Sequence, residues 1–393
     1  MKKFTYLVLA ATLVFAVGIT LVGLKIYRAN YNLWLGDYLF NSPERVEDNS
    51  LTDIIFVVVD HWEPGGNQDY VNAWMSGYRE LADRHIDSDG RKLQHTWYYP
   101  IEQFRPDEVD SLVRLCCEGY GDIEVHLHHA DDDSRSLRRK LADGLDSLQA
   151  HGALVSADGQ DHWSFIHGNW ALDNSRLENG VNYCGVNDEI TILLELGCYS
   201  DATFPSLGQT AQPSWVNKLY YATDDPKQPK SYDTGVLSAV GLETSADQLL
   251  IMSGPMMIDW CDWRFVTHPV LDDGNLYNEI PTSLHRFEVW LRAGIHVVGR
   301  PDWVFVRPFT HGASLGYEGL YENVLGCNID SMLTAIETLY NDGKKFRLHY
   351  MTAREAYNVI KAAEAGRDGN PDDYRDYVIK PYLYPNGSVE EEI

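Results

Sequence analysis

Asp53-Ile-Ile-Phe-Val-Val-Val-Asp60-His61-Trp62-Glu63-Pro64 is the stretch that decides the fold. The uninterrupted apolar run Ile54–Val59 is what a strand buried on both faces requires, as in a parallel sheet. It ends in an acid, an imidazole, an indole, a second acid and a proline. Ligand and catalytic groups of α/β folds collect at the carboxyl ends of such strands, because the strand is rigid and the following loop is free to vary. An Asp-His pair there supplies a base and a metal ligand. The plainer alternative makes Asp60 a helix cap and His61 an ordinary loop residue.

Outward from this stretch, apolar strand-like runs alternate with helical patterns. A helix is expected near Tyr70–His85, a strand at Gln94–Tyr99 and a helix entered through Pro106, a residue suited to a first helical position. A strand at Asp122–His129 and a helix at Asp132–His151 follow. Further strands are expected at His162–His167, Cys198–Phe204, Gln248–Ser253, Trp303–Phe309 and Phe346–His349, with helices at Asn187–Leu196, Pro281–Ala293 and Ile329–Tyr340. Thr352-Ala-Arg-Glu355 is a capping-box signature that opens a last helix. This alternation predicts an α/β chain, most simply a distorted (β/α)7-8 barrel. Gly208–Glu243 is irregular and reads as an excursion or a hairpin insert.

The chain has 393 residues, of which 44% are hydrophobic and 23% charged, an ordinary globular composition with enough chain for a large core. Its net charge of -26 excludes nucleic acid as a partner, since phosphates would be repelled. The 11 Trp and 24 Tyr suit sugar rings as well as core packing. Phe4–Leu24 carries no charge and is flanked by Lys2, Lys3, Lys25 and Arg28. It predicts a transmembrane signal anchor over residues 1–27, with the body periplasmic or extracellular. A polar linker over residues 28–50, the α/β body over 51–365 and an acidic tail over 366–393 complete the expected organisation. The six cysteines show no CxxC spacing, which argues against a thiolate zinc site and leaves disulfides or buried thiols.

Asp122-Ile-Glu-Val-His126-Leu-His128-His129 is the second informative window. Strand alternation puts Glu124, His126 and His128 on one face, with two imidazoles about 6–7 Å apart. That is costly as core packing and natural for metal binding or proton transfer. Asp131, Asp132 and Asp133 follow at once and also suit the start of a helix. The third window, Trp303-Val-Phe-Val-Arg307-Pro-Phe-Thr310-His311-Gly312, ends another apolar strand in a histidine that could protonate a leaving group. Phe165-Ile-His167-Gly168-Asn169-Trp170 reads as a substrate-binding rim, and Asp259-Trp-Cys-Asp262-Trp263 sets two acids among aromatics. No phosphate-binding glycine loop, nucleophile elbow or HExxH is present.

In their order these windows resemble the polysaccharide deacetylase family, metal-dependent carbohydrate esterases on a distorted barrel. The resemblance implies Asp60 as base, His311 as general acid and a divalent metal, zinc by ligand type. Where that family carries a second acid this chain has His61, and where it carries a second histidine, four residues beyond His128, this chain has Asp132. The exchange is reciprocal, so His61, His128 and Asp132 would form an equivalent ligand set, with His126 as an alternative ligand. Glu63, His167, Asn169, Trp170, Asp262 and Arg307 are the expected substrate-binding residues. The implied activity is removal of N- or O-acetyl groups from a polysaccharide. A glycoside hydrolase using Glu63 and Asp262 as paired carboxylates, or an inactive polysaccharide-binding barrel, are the alternatives.

Overall fold

The computed structural model describes residues 2–41, 43–44, 50–260, 270–277, 280–312 and 320–385. Asp262 and the acidic end of the chain, residues 386–393, lie outside them. The deciding stretch forms two strands in line, β1 (Thr52–Phe56) and β2 (Val58–His61), separated by Val57 alone. Each belongs to a different sheet. β1 lies between the strands Arg300–Val306 and Phe346–Tyr350, parallel to both. β2 is parallel to Phe309–Thr310 on one side and to β3 (His95–Pro100) on the other.

From β3 the larger sheet continues through β4 (Gly121–Leu127), β5 (Trp163–His167), Cys198–Asp201 and Gln248–Met252, all parallel. The expected excursion at Gly208–Glu243 supplies its far edge, where Leu219–Thr223 pairs antiparallel with Gln248–Met252 and Val236–Leu237. The fold is therefore α/β with mainly parallel sheets, as the alternating pattern predicts. The two sheets do not join into a closed barrel among the described residues.

Period-two alternation sorts the strand residues into two cores. Ile54, Phe56 and Val58 pack with helix α3 (Gln68–Ala82) and helix α4 (Pro106–Cys117) in one cluster. Ile55, Val57 and Val59 pack with Tyr98, Ile166, Leu250 and the helix Ala353–Glu364 in the other. That helix opens with the expected capping box, Thr352 N–H donating to Glu355 at 2.9 Å and Glu355 N–H to the Thr352 hydroxyl at 3.3 Å.

Three expectations outside the sheets are corrected. Lys2–Arg28 forms one helix of 27 residues, α1, but among the described residues no helix is long and apolar enough to cross a membrane. This overturns the transmembrane signal anchor and the exported placement of the body that rested on it. The supposed linker carries a short helix, α2 (Leu35–Phe40), and buries Trp34 against Val216 and Met256. The first part of the supposed acidic tail is packed: Arg375, Ile379 and Tyr382 are buried, and the Tyr382 hydroxyl donates to Glu124 at 2.9 Å. Cys116, Cys184, Cys198 and Cys327 are free thiols.

Alternation also separates Asp60 from His61. Asp60 faces α3, where its carboxylate accepts from the Gly312 N–H at 2.8 Å and meets His95 Nε2 at 2.9 Å. Fully buried and doubly held, it ties β2 to β3 and to the His311–Gly312 turn. Asp60→Ala should cost about 2 kcal/mol or more of stability by orphaning both partners, as read from urea denaturation. A change within error would show that this carboxylate is not structural.

A second tie lies at the other end of the stretch. His349 is buried between carboxylates, with Nε2 at 2.8 Å from Asp53 and Nδ1 at 2.7 Å from Asp89. Burial opposes charge on the ring, but Asp53 and Asp89 outweigh it and raise His349 above the ordinary imidazole value. Stability from such a group is fully present below the unfolded pKa, about 6.5, and lost as pH rises through the folded value. Unfolding free energy should therefore fall as pH rises from about 6.5 through the folded value, and His349→Gln should flatten that fall. Parallel pH profiles for variant and wild type would exclude this role.

Candidate metal centre

His61 ends β2, His126 lies on β4 with His128 just beyond it, and His311 follows Phe309–Thr310, so three parallel strands deliver imidazoles to one cleft. The His61 ring stacks on His311 with centroids 4.3 Å apart and meets His126 edge-on at 4.8 Å. His126 and His128 are 4.6 Å apart, also edge-on. Glu63, two residues past His61, turns into the same space. Its Oε1 lies 3.0 Å from His126 Nε2 and 3.2 Å from His128 Nε2. Glu102, in the helical turn after β3, holds His128 Nδ1 at 2.6 Å. Trp170 closes one side, 5.5 Å from His61 and 5.7 Å from His311, and Tyr277 lies 5.2 Å from His311.

The charges are unevenly matched. Burial, followed by the neighbouring His311 and His126, holds His61 well below the ordinary imidazole range. Burial likewise lowers His126 and His311. His128 goes the other way: burial opposes its charge, but the bonds to Glu102 and Glu63 prevail and push it up to about 9. Burial works to raise the Glu63 carboxyl, yet the hydrogen bonds from His126 and His128 hold it far below the carboxylate range.

His61, Glu63 and His126 each offer a ligand atom, all within 4.8 Å of one another. The buried Nδ1 atoms of His61, His126 and His311 have no hydrogen-bond partner among the described residues. Buried imidazole nitrogens are ordinarily paired, and three left over in one cleft mark a place for a ligand. Two imidazoles and one carboxylate are the donor set of a three-ligand zinc site with an open position. The residues present therefore fit a divalent metal.

The structure departs from the expected ligand set at Asp132 and from the expected base at Asp60. Asp131 takes a left-handed backbone, with φ of +47°, and turns the chain away from the cleft. Asp132 instead receives Lys140 Nζ at 2.7 Å and lies 3.5 Å from His129 Nδ1. Glu63, expected to touch substrate, occupies the carboxylate position among the ligands. Asp60 is on the far face of β2, so it cannot serve this cleft as base. Of the expected substrate residues, Trp170 lines the cleft, while His167 points to the opposite face of the sheet beside His129. Asn169 braces its own loop, donating to the His129 carbonyl at 2.8 Å. Arg307 is buried and spends its guanidinium on the Phe204 carbonyl. Glu102 and Tyr277 were not expected; Glu102 had one available signal, its place just past a predicted strand end.

No family model matches the chain, and no curated protein matches it. Among solved structures, a 4-alpha-glucanotransferase from Thermococcus litoralis superposes with a TM-score of 0.41 at 12% identity. The match covers 78% of this chain and 40% of that enzyme, so the chain spans well under half its length. A likeness of that size says nothing about the chemistry of this cleft.

Proposed function

We propose that the chain is a divalent-metal hydrolase that removes N- or O-acetyl groups from a polysaccharide. The observation that carries this reading is the convergence of His61, Glu63 and His126 within 4.8 Å at the ends of parallel strands, beside two further histidines of contrasting surroundings. A bound zinc-type ion would supply Lewis-acid polarisation of the acetyl carbonyl and a water that ionises near neutrality. His61, Glu63 and His126 are the residues that would hold it.

The remaining groups divide the proton transfers. Burial lowers His311 and its Nδ1 is unpaired among the described residues, so the neutral ring can accept a proton from the attacking water. His128 is clamped as an imidazolium by Glu102 and Glu63, so it can give a proton to the departing amine or alcohol. Glu102 keeps that clamp when Glu63 is drawn to a metal. The proton taken at His311 and the one lost at His128 balance over the reaction, with water adding to the acyl carbon as the bond to the sugar breaks. The base role expected for Asp60 passes to His311, and the acid role expected for His311 passes to His128. Trp170 and Tyr277 offer flat faces beside His311, the kind of surface a sugar ring packs on.

Acetate release from an N-acetylated oligosaccharide is the assay. Chelation should abolish it and added zinc restore it. Glu63→Gln should remove both metal and activity, whereas His311→Ala should keep the metal and lower kcat about a hundredfold or more with little change in KM. If the protein binds such oligomers yet frees no acetate with any of zinc, cobalt, manganese or nickel, the hydrolase reading fails and a binding protein takes its place.

A further inference from the structure

A second set of ligating side chains lies across β4 from the cleft. His129 follows β4, His167 ends β5, Cys184 lies in the long loop after β5, and Glu189 opens helix α6 (Glu189–Glu195). All four are buried, and each offers a ligand atom within 4.8 Å of the others. Glu189 sits at the centre: Oε1 is 3.0 Å from His129 Nε2 and 3.8 Å from His167 Nε2, and Oε2 is 3.3 Å from Cys184 Sγ.

Two ring nitrogens of this set have no hydrogen-bond partner among the described residues: His129 Nδ1, 3.5 Å from Asp132, and His167 Nε2. His167 Nδ1 accepts the Asn169 N–H at 3.2 Å, which leaves the ring proton on Nε2. That Nε2 is buried, aims at the cluster and has no hydrogen-bond partner. Its nearest acceptor, at 3.8 Å, is out of reach. Leu127, Leu172 and Ile190, close to the ligands in sequence, are fully buried in the same core, and the Asp173 N–H donates to Glu189 at 2.6 Å. A polar nitrogen stranded in such surroundings is costly.

We propose that His129, His167, Cys184 and Glu189 form a closed, zinc-type metal site whose role is to fix the loop between β5 and α6. The site is independent of the hydrolase reading. Every ligand type belongs to zinc chemistry, and four buried protein ligands leave no open position, the pattern of a structural rather than a catalytic centre. The thiolate argues against magnesium and calcium, which take oxygen. Occupation would release the Cys184 thiol proton and the proton on His129 Nε2. It would also move the His167 proton from Nε2 to Nδ1, giving up the long contact from Asn169. Asp132, 3.5 Å from His129 Nδ1, stands where an outer carboxylate orients a metal-bound imidazole.

The loop has reason to be fixed. It carries Trp170, held at φ of +50°, against His61 and His311. It also returns past the His129–Asp133 turn, where the Cys184 carbonyl accepts the Asp132 N–H at 2.9 Å. A Cβ on Gly185 would come within 2.5 Å of that same nitrogen.

The test uses the full chain with the cleft emptied by Glu63→Gln and His126→Ala. This protein should retain a single equivalent of zinc, and its cobalt-substituted form should show thiolate-to-cobalt absorption in the near ultraviolet. Adding Cys184→Ser should abolish the band. Should that variant not fold, His167→Gln replaces it, and the band should shift and weaken. A folded, cleft-emptied protein that holds no zinc, or whose cobalt form lacks the thiolate band, overturns the site whatever the outcome of the acetate assay. A band unchanged by both substitutions would place the thiolate elsewhere and overturn it equally.

Discussion

One extended segment, Thr52–His61, passes through both sheets and is buried along its whole length, and the rest of the molecule is arranged around that constraint. A strand with neighbours on both edges and cores on both faces has no freedom to rotate or slip, since a shift of one residue would exchange every inward and outward side chain. Asp53, next to its start, is held by Arg347 and His349. Asp60, near its end, is held by His95 and the Gly312 N–H. The position of His61 follows. It has to project into the space above Val59 and beside Tyr98, and the neighbouring strands deliver His126 and His311 to the same place.

That geometry explains why the cleft concentrates cations that it cannot all charge. Glu63 and Glu102 serve His126 and His128, and among the described residues no carboxylate hydrogen-bonds the Nδ1 of His61 or His311. Desolvation then settles the protonation pattern: the imidazoles without a carboxylate stay neutral and the doubly clamped one stays charged. Neutral, unpaired imidazole nitrogens are electron-pair donors in search of an acceptor. A cation satisfies them without asking any of them to take a proton, which is why the cleft suits a metal better than an organic anion.

Much of the fold was legible in the sequence because its signals are local. The parallel strands show as apolar runs that stop at a polar turn, and the helices as periodic patterns with Pro106 or Thr352 at their starts. The cleft was legible as far as strand ends go: His61, His126, His128 and His311 were all visible there. What failed was reasoning along the chain instead of across it. Asp60 and His61 look like partners by adjacency, but alternation sends them to opposite faces. Asp132 looks like a ligand by its four-residue spacing from His128, but the left-handed turn at Asp131 carries it to His129. Glu102 stands just past a predicted strand end, but its role comes from His128, 26 residues on. Trp34 was passed over among scattered aromatics of a supposed linker, because nothing nearby in sequence shows the surface it docks on.

The same alternation accounts for two histidine clusters rather than one. Around the end of β4, His126 and His128 lean to one side, while Leu127 and His129 lean to the other, and register pairs Leu127 with His167. A sequence that reads as a single crowd, His126-Leu-His128-His129, is thus divided by the sheet into two environments. On the cleft side His61 and His126 are buried, but His128, Glu63 and Glu102 are each about a quarter to a third exposed, so small molecules and water can reach that edge. On the far side His129, His167 and Glu189 have no exposure at all. Access alone separates what the two clusters can do: reactants can exchange at the first, and only something that binds once and stays is compatible with the second.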